Sequence, residues 1–195
     1  MVAMEATDAS LIGFSMGGGE VVRYMSRHAG RHVVQCGLIS SVVPFLLKTS
    51  DNPQGVEQSV FAEMSQAILS DRPQFFANFF KDFYGGGQGS PPVSVPYLQW
   101  TQSMAMQASL KATLACAEAF ATTDFRSDLA AVTVPTLVVH GTADAIVPIE
   151  TSARAAIQNL PDGTLQEYEG APHGLLATHP EQLADDLIRF LQTSP

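Results

Sequence analysis

Gly13-Phe14-Ser15-Met16-Gly17 constrains this chain more than any other stretch. It is a G-x-S-x-G pattern, preceded by the apolar pair Leu11 and Ile12 and followed by a helix-like run. A serine on such a tight strand-to-helix turn is lifted clear of a sheet, and small residues at Gly13, Gly17 and Gly18 let neighbouring backbone approach without a Cβ clash. The turn also aims the backbone N–H of Met16 at the point where an oxyanion forms, with the N-terminus of the next helix behind it. A bare G-x-S-x-G is equally compatible with a glycine-rich turn holding an incidental serine. Two later stretches decide between these readings.

Pro135-Thr136-Leu137-Val138-Val139 is a continuous apolar, β-branched run that reads as a buried parallel strand. His140-Gly141-Thr142-Ala143-Asp144 follows it, so Asp144 sits in the loop leaving the carboxyl end of a strand, where open α/β sheets place their sites. Gly170-Ala171-Pro172-His173-Gly174 follows the alternating segment Leu165-Gln166-Glu167-Tyr168, and a histidine between proline and glycine in a loop has few packing duties. The chain order Ser15, Asp144, His173 is that of the α/β-hydrolase triad rather than of the chymotrypsin or subtilisin triads.

GFSMGGGEVVRYMSRH, VPTLVVHGTADAIVP and YEGAPHGLLATHPEQLADDLIRFL together closely resemble the cofactor-free bacterial chloroperoxidase/arylesterase branch of the α/β-hydrolases. The likeness extends to Asp82-Phe83-Tyr84-Gly85 and Thr123-Asp124-Phe125 in the middle of the chain. It implies a serine esterase, in a branch where several members also make peracids from carboxylic acids and hydrogen peroxide. Carried over by position, Ser15 matches the nucleophile, Asp144 the triad acid, His173 the base and Met16 the donor of one oxyanion N–H. Phe125 and Ile146 match loops at strand ends and are expected to line the substrate pocket. No cofactor is implied, and no His, Asp, Glu or Cys spacing resembles a metal set.

The chain also departs from the family. The resemblance places the nucleophile turn after the fifth strand of the sheet, whereas only Met1 to Asp8 precede its strand here. Roughly four strands and two helices of the pattern are missing, with the loop giving a second oxyanion N–H. No HGG-like or HGxP-like stretch stands in for it. A minimal hydrolase, a gene fragment and one half of a split enzyme all fit. With one oxyanion donor the expectation is a slow esterase, since losing a donor costs about 100- to 1,000-fold in turnover. The strand at Ala9 to Phe14 would lack a neighbour on one side, and an apolar unpaired edge is a template for association. The expected partners are therefore a small-molecule ester and either a second copy of the chain or a complementing N-terminal half.

Composition narrows the remaining classes. At 195 residues with 46% hydrophobic content, one domain with a real core is expected, and a net charge of −9 without Lys or Arg clusters argues against nucleic acid and anionic membranes. No run approaches a membrane span, and the N-terminus shows no leader pattern, so a cytoplasmic protein is expected. Cys36 in an apolar strand and Cys116 in an alanine-rich helical stretch read as reduced core residues rather than a disulfide. His28 and His32 read as solvated, His140 as positioning its loop, and His179 as a helix-entry residue.

The fold class expected is α/β, a partial α/β-hydrolase fold with a mainly parallel sheet, helices on both faces and an inserted helical cap. Residues 1–44 and 126–195 form the core and 45–125 the cap. In the core, Val33 to Val43 reads as a strand buried on both faces, and Pro180 to Leu191 as the last helix, apolar along one stripe. In the cap, helices are expected at Phe61–Leu69, at Arg72–Phe83 with Asp71 as N-cap, from Pro96, and at Ser109–Thr122. A loop at Gly85–Pro92 separates the second helix from the third. Phe75, Phe76, Phe79, Phe80, Phe83, Tyr84 and Trp100 fit a hydrophobic roof above the serine, although each singly is compatible with ordinary helix packing. Such a site favours small acyl groups and aryl or short alkyl alcohols.

Overall fold

A computed structural model of the chain describes residues 6–87 and 92–193. The 88–91 part of the expected glycine-rich loop and residues 1–5 ahead of the first strand lie outside the described residues. The elements run β1 (Ala9–Phe14), α1 (Met16–Arg27), β2 (Val33–Ile39), α2 (Gln58–Ser70), α3 (Arg72–Phe83), α4 (Val95–Gln107) and α5 (Leu110–Thr122). They continue with α6 (Arg126–Leu129), β3 (Thr136–Gly141), α7 (Ala153–Ile157), β4 (Gly163–Tyr168), α8 (Leu175–Thr178) and α9 (Pro180–Gln192). The four strands form one parallel sheet in the order β1-β2-β3-β4.

Alternation along the strands sends side chains to two separate cores. Leu38 and Val138 join Val21, Val22 and Met25 of α1 and Ala153 and Ala156 of α7 on one face. Ile39, Leu137 and Val139 join Tyr168, Leu175 of α8 and Leu183 of α9 on the other. All six residues of β3 are buried, as their unbroken apolar run requires. Gln35 is also buried; Ser10 Oγ donates to its Oε1, and its Nε2 donates to the Phe190 carbonyl, so a polar side chain inside the layer leaves nothing unpaired.

β2 differs from expectation and β1 agrees with it. β2 stops at Ile39 instead of reaching Val43, because Ser40 takes a φ of 44° and turns the chain out of the sheet. β1 lies at the sheet edge, as expected for a strand without an encoded neighbour: it pairs only with β2 among the described residues and leaves Ile12 43% exposed.

Between β2 and β3 the named elements are all helices, α2 to α6. Asp71 Oδ1 accepts the Gln74 N–H at the start of α3, and Ser109 Oγ accepts the Ala112 N–H at the start of α5. Each cap satisfies an amide that the helix ladder leaves free. Ser94 does the same for α4, which begins one residue before Pro96. No described helix is long and apolar enough to cross a membrane.

Candidate active site

Ser15 joins β1 to α1 at φ 54° and ψ −121°, angles that residues bearing a Cβ rarely adopt. It holds the N-cap position of α1 but makes no side-chain cap, which leaves its hydroxyl available. Backbone bonds maintain the turn: Ser15 N–H donates to Ile39 O at 2.9 Å, and Ser15 O accepts from Gly18 N–H at 3.1 Å and Val42 N–H at 3.3 Å. Close packing then dictates glycine on either side. A Cβ at Gly13 would lie 2.2 Å from Gly17 O, and one at Gly18 would lie 2.0 Å from Ser41 Oγ. Met16 is the first residue of α1, so its N–H is among those without a partner in the helix ladder.

His173 lies in the loop between β4 and α8 with no exposed surface. Its Nε2 is 3.0 Å from Ser15 Oγ, and its Nδ1 is 2.6 Å from Asp144 Oδ2. A carboxylate only accepts, so Nδ1 carries the ring proton and Nε2 presents a lone pair to the serine hydroxyl. The ring is held by neighbours on both sides. Phe83 meets it edge-on at 4.7 Å between centroids, and Phe14 lies at 5.2 Å. The backbone is pinned as well, since Ser40 Oγ donates to His173 O and Gly174 N–H donates to Phe83 O at the end of α3.

Asp144 leaves β3 with its side chain wholly enclosed. Its Oδ1 accepts the N–H groups of Ile146 and Val147 at 2.9 and 2.8 Å. Burial pushes this carboxyl up, but hydrogen bonds from His140 and His173 outweigh burial and hold it at about 2. It is therefore ionised at neutral pH. His140 Nε2 also lies 3.1 Å from Asp144 Oδ2.

Ser15 and His173 stand at the wall of a cavity of about 220 Å³, and Asp144 is enclosed outside its lining. Phe75, Phe76, Phe79 and Phe83 of α3 form one wall; Met64 and Ile68 of α2 and Phe120 of α5 form another. No Asp, Glu, Lys or Arg is among the described lining residues. Ile146 lines the cavity, and Phe125 does not. The Phe125 ring packs against Gly19 of α1, with the Arg23 guanidinium 5.0 Å above it, so it belongs to the contact between α1 and α6. Of the other cap aromatics, Phe80 and Tyr84 are buried behind the wall, and Trp100 is 55% exposed.

Sequence reasoning missed Met64, Ile68 and Phe120, whose helical spacing marks an apolar stripe without saying what the stripe faces. It placed Cys116 in a core, whereas Cys116 is exposed and lines the cavity. Cys36 is buried and free, its thiol pushed up to about 12 by burial.

A family model for the alpha/beta hydrolase fold matches residues 4–180. The non-heme chloroperoxidase of Streptomyces lividans is 38% identical over 192 residues, covering 98% of this chain and 70% of that protein. The chain belongs to the α/β-hydrolase family. Within it, the bifunctional esterase/perhydrolase DCH of Acinetobacter calcoaceticus is 35% identical over 184 residues, covering 93% of this chain and 66% of that one. Among solved structures, bromoperoxidase from Bacillus anthracis superimposes with a TM-score of 0.94 at 35% identity, over 98% of this chain and 70% of that one. This hydrolase thus falls in the non-heme haloperoxidase and esterase/perhydrolase branch, and it spans about 70% of the length of these relatives.

Proposed function

We propose that this hydrolase is a serine carboxylesterase acting on small aryl or short-chain esters. The observation that carries the reading is an unbroken hydrogen-bond chain, Ser15 to His173 to Asp144, at the wall of an uncharged cavity. Ser15 Oγ attacks the ester carbonyl as its proton passes to His173 Nε2, and Asp144 stabilises the imidazolium that forms. The Met16 N–H donates to the developing oxyanion. Collapse expels the alcohol, which takes the proton from His173 and leaves an acyl group on Ser15. Water, activated by the same nitrogen, then cleaves the acyl-enzyme to the acid. With hydrogen peroxide as the acceptor the product is a peracid, the side activity this reading allows.

The cavity supports the substrate class. An apolar, charge-free wall gives no compensation for burying an ionised acyl group, and aromatic faces suit an aryl ring. In this reading residues 1–44 and 126–195 supply the catalytic core. Residues 45–125 act as the cap, since the walls come from α2, α3 and α5.

A second reading, a weakly active piece that works through assembly, is favoured by the outer side of β1, which pairs with nothing among the described residues. Hydrolysis of p-nitrophenyl acetate by the purified chain and by Ser15→Ala separates the two. The esterase reading expects turnover that Ser15→Ala abolishes, with a fluorophosphonate labelling Ser15 alone. Equal rates in parent and variant would overturn it.

A further inference from the structure

We infer that His140 is a positioning residue for the triad: its Nε2–H, held by Val147 O beside Asp144 Oδ2, sets how strongly that oxygen holds the His173 proton. The inference rests on the triad reading above. His140 and Asp144 side chains are both fully enclosed. Nε2 of His140 is 2.9 Å from Val147 O and 3.1 Å from Asp144 Oδ2, and lies 3.5 Å from Ser152 Oγ. A carbonyl oxygen only accepts, so Nε2 bears the proton and donates it to Val147 O, which leaves the same N–H 3.1 Å (N···O) from Asp144 Oδ2. The other nitrogen, Nδ1, is buried without a hydrogen-bond partner among the described residues.

The Asp144 carboxylate is held without His140, because two backbone N–H groups grip Oδ1. What His140 adds is the positive end of an N–H dipole close to the one oxygen that His173 uses. That positive end draws on the same electron density, so Oδ2 is a weaker acceptor for His173 Nδ1–H than it would be alone. The other charged group facing His140 is Glu167, its register partner on β4, whose charge is taken up by Arg154 at 2.7 and 2.6 Å. Asp144 and His173 are thus the ionisable partners left for His140 to act on.

Three variants test this. His140→Leu and His140→Asn remove the donor at the Nε2 position, since the Asn amide is too short to reach it, whereas the His140→Gln amide falls there. In Leu and Asn, Oδ2 serves His173 alone, the imidazolium is better stabilised, and the acid limb of kcat/KM moves up by about half a pH unit, roughly 0.7 kcal/mol at 1.36 kcal/mol per unit. Gln keeps the parent limb. A second readout needs no catalysis: the ring proton between His173 Nδ1 and Asp144, assigned by its loss in His173→Gln, moves further downfield in Leu and Asn and not in Gln. Loss of stability with limb and resonance unmoved, or a Gln variant that behaves like Leu, overturns the inference. Should the parent hydrolyse esters independently of Ser15, the triad reading falls while the resonance still decides for or against His140.

Discussion

Asp144 and His173 leave β3 and β4 with fully enclosed side chains and a set of named partners, whereas Ser15 leaves a strand whose outer side pairs with nothing among the described residues. β3 is buried at all six positions; β1 is buried at one of six. The acid–base pair is therefore specified locally, by the 136–175 segment and the α3 terminus that closes over it. The nucleophile depends on a strained turn held to β2 from one side only. Enclosure sets the electrostatics of one half, and coverage of an edge decides the persistence of the other.

The largest expected effect lies at the junction of the two halves. Ser15→Ala should lower p-nitrophenyl acetate turnover by at least about 10³-fold, since loss of a triad serine removes covalent catalysis outright. Its folding stability should stay near that of the parent, because the hydroxyl makes one hydrogen bond and no cap. A Ser15→Ala protein with parent activity would dissolve the comparison by showing that the two halves do not work together.

The second prediction concerns the open edge. We propose that a second copy or a complementing chain covers β1, because an apolar strand left half-exposed is a pairing template and patches of this kind seldom stay bare. Sedimentation at micromolar concentration should then show an assembly, and Ile12→Lys should reduce it to a single chain. An active monomer in the parent would show that β1 needs no cover.

The third prediction sharpens the enclosed half. Asp144 is held at about 2, below its ordinary 3.8, so its ionised form stabilises the fold at neutral pH by about 2 kcal/mol. A depressed carboxyl contributes fully above the unfolded value and loses that contribution as pH falls through the folded one. Denaturant midpoints of the parent should therefore fall between about pH 4 and pH 2 more steeply than those of Asp144→Asn, which has no charge to lose. Parallel profiles would mean that Asp144 is not the paired anion described above.

Much of this contrast was legible before any coordinates. The strand-turn-helix at Ser15, the strand ahead of Asp144 and the capped starts of α3 and α5 each follow from local chemistry, and local chemistry is what a sequence carries most directly. The exact reach of β2 was not, because Ser40 leaves the sheet through a backbone angle that its residue type does not demand. The open outer side of β1 was legible, because the family's strand order puts a neighbour there that the sequence does not supply, and among the described residues that side is open. His140 was read as a loop-positioning residue from its place at the end of the strand. Its contact with Asp144 depends on the loop doubling back, which brings the backbone of Val147 and the Asp144 carboxylate to the same nitrogen.

The smallest expected effect separates two phenylalanines that sequence alone could not rank. Phe79 lines the cavity beside Ser15, and Phe125 packs between α1 and α6 beneath Arg23. Phe79→Leu should reduce the preference for aryl over short alkyl esters by a few-fold, since it trades an aromatic face worth about 0.5–1.5 kcal/mol for a smaller aliphatic one. Phe125→Leu should leave that preference unchanged and lower stability by about 1 kcal/mol, through lost packing on Gly19 and a lost cation–π contact. The ratio of kcat/KM for phenyl and ethyl acetate, measured beside a urea denaturation curve, reads both effects on the same preparations. A specificity change in Phe125→Leu would extend the cavity towards α1, so that the half carrying the nucleophile, and not the cap alone, would select the substrate.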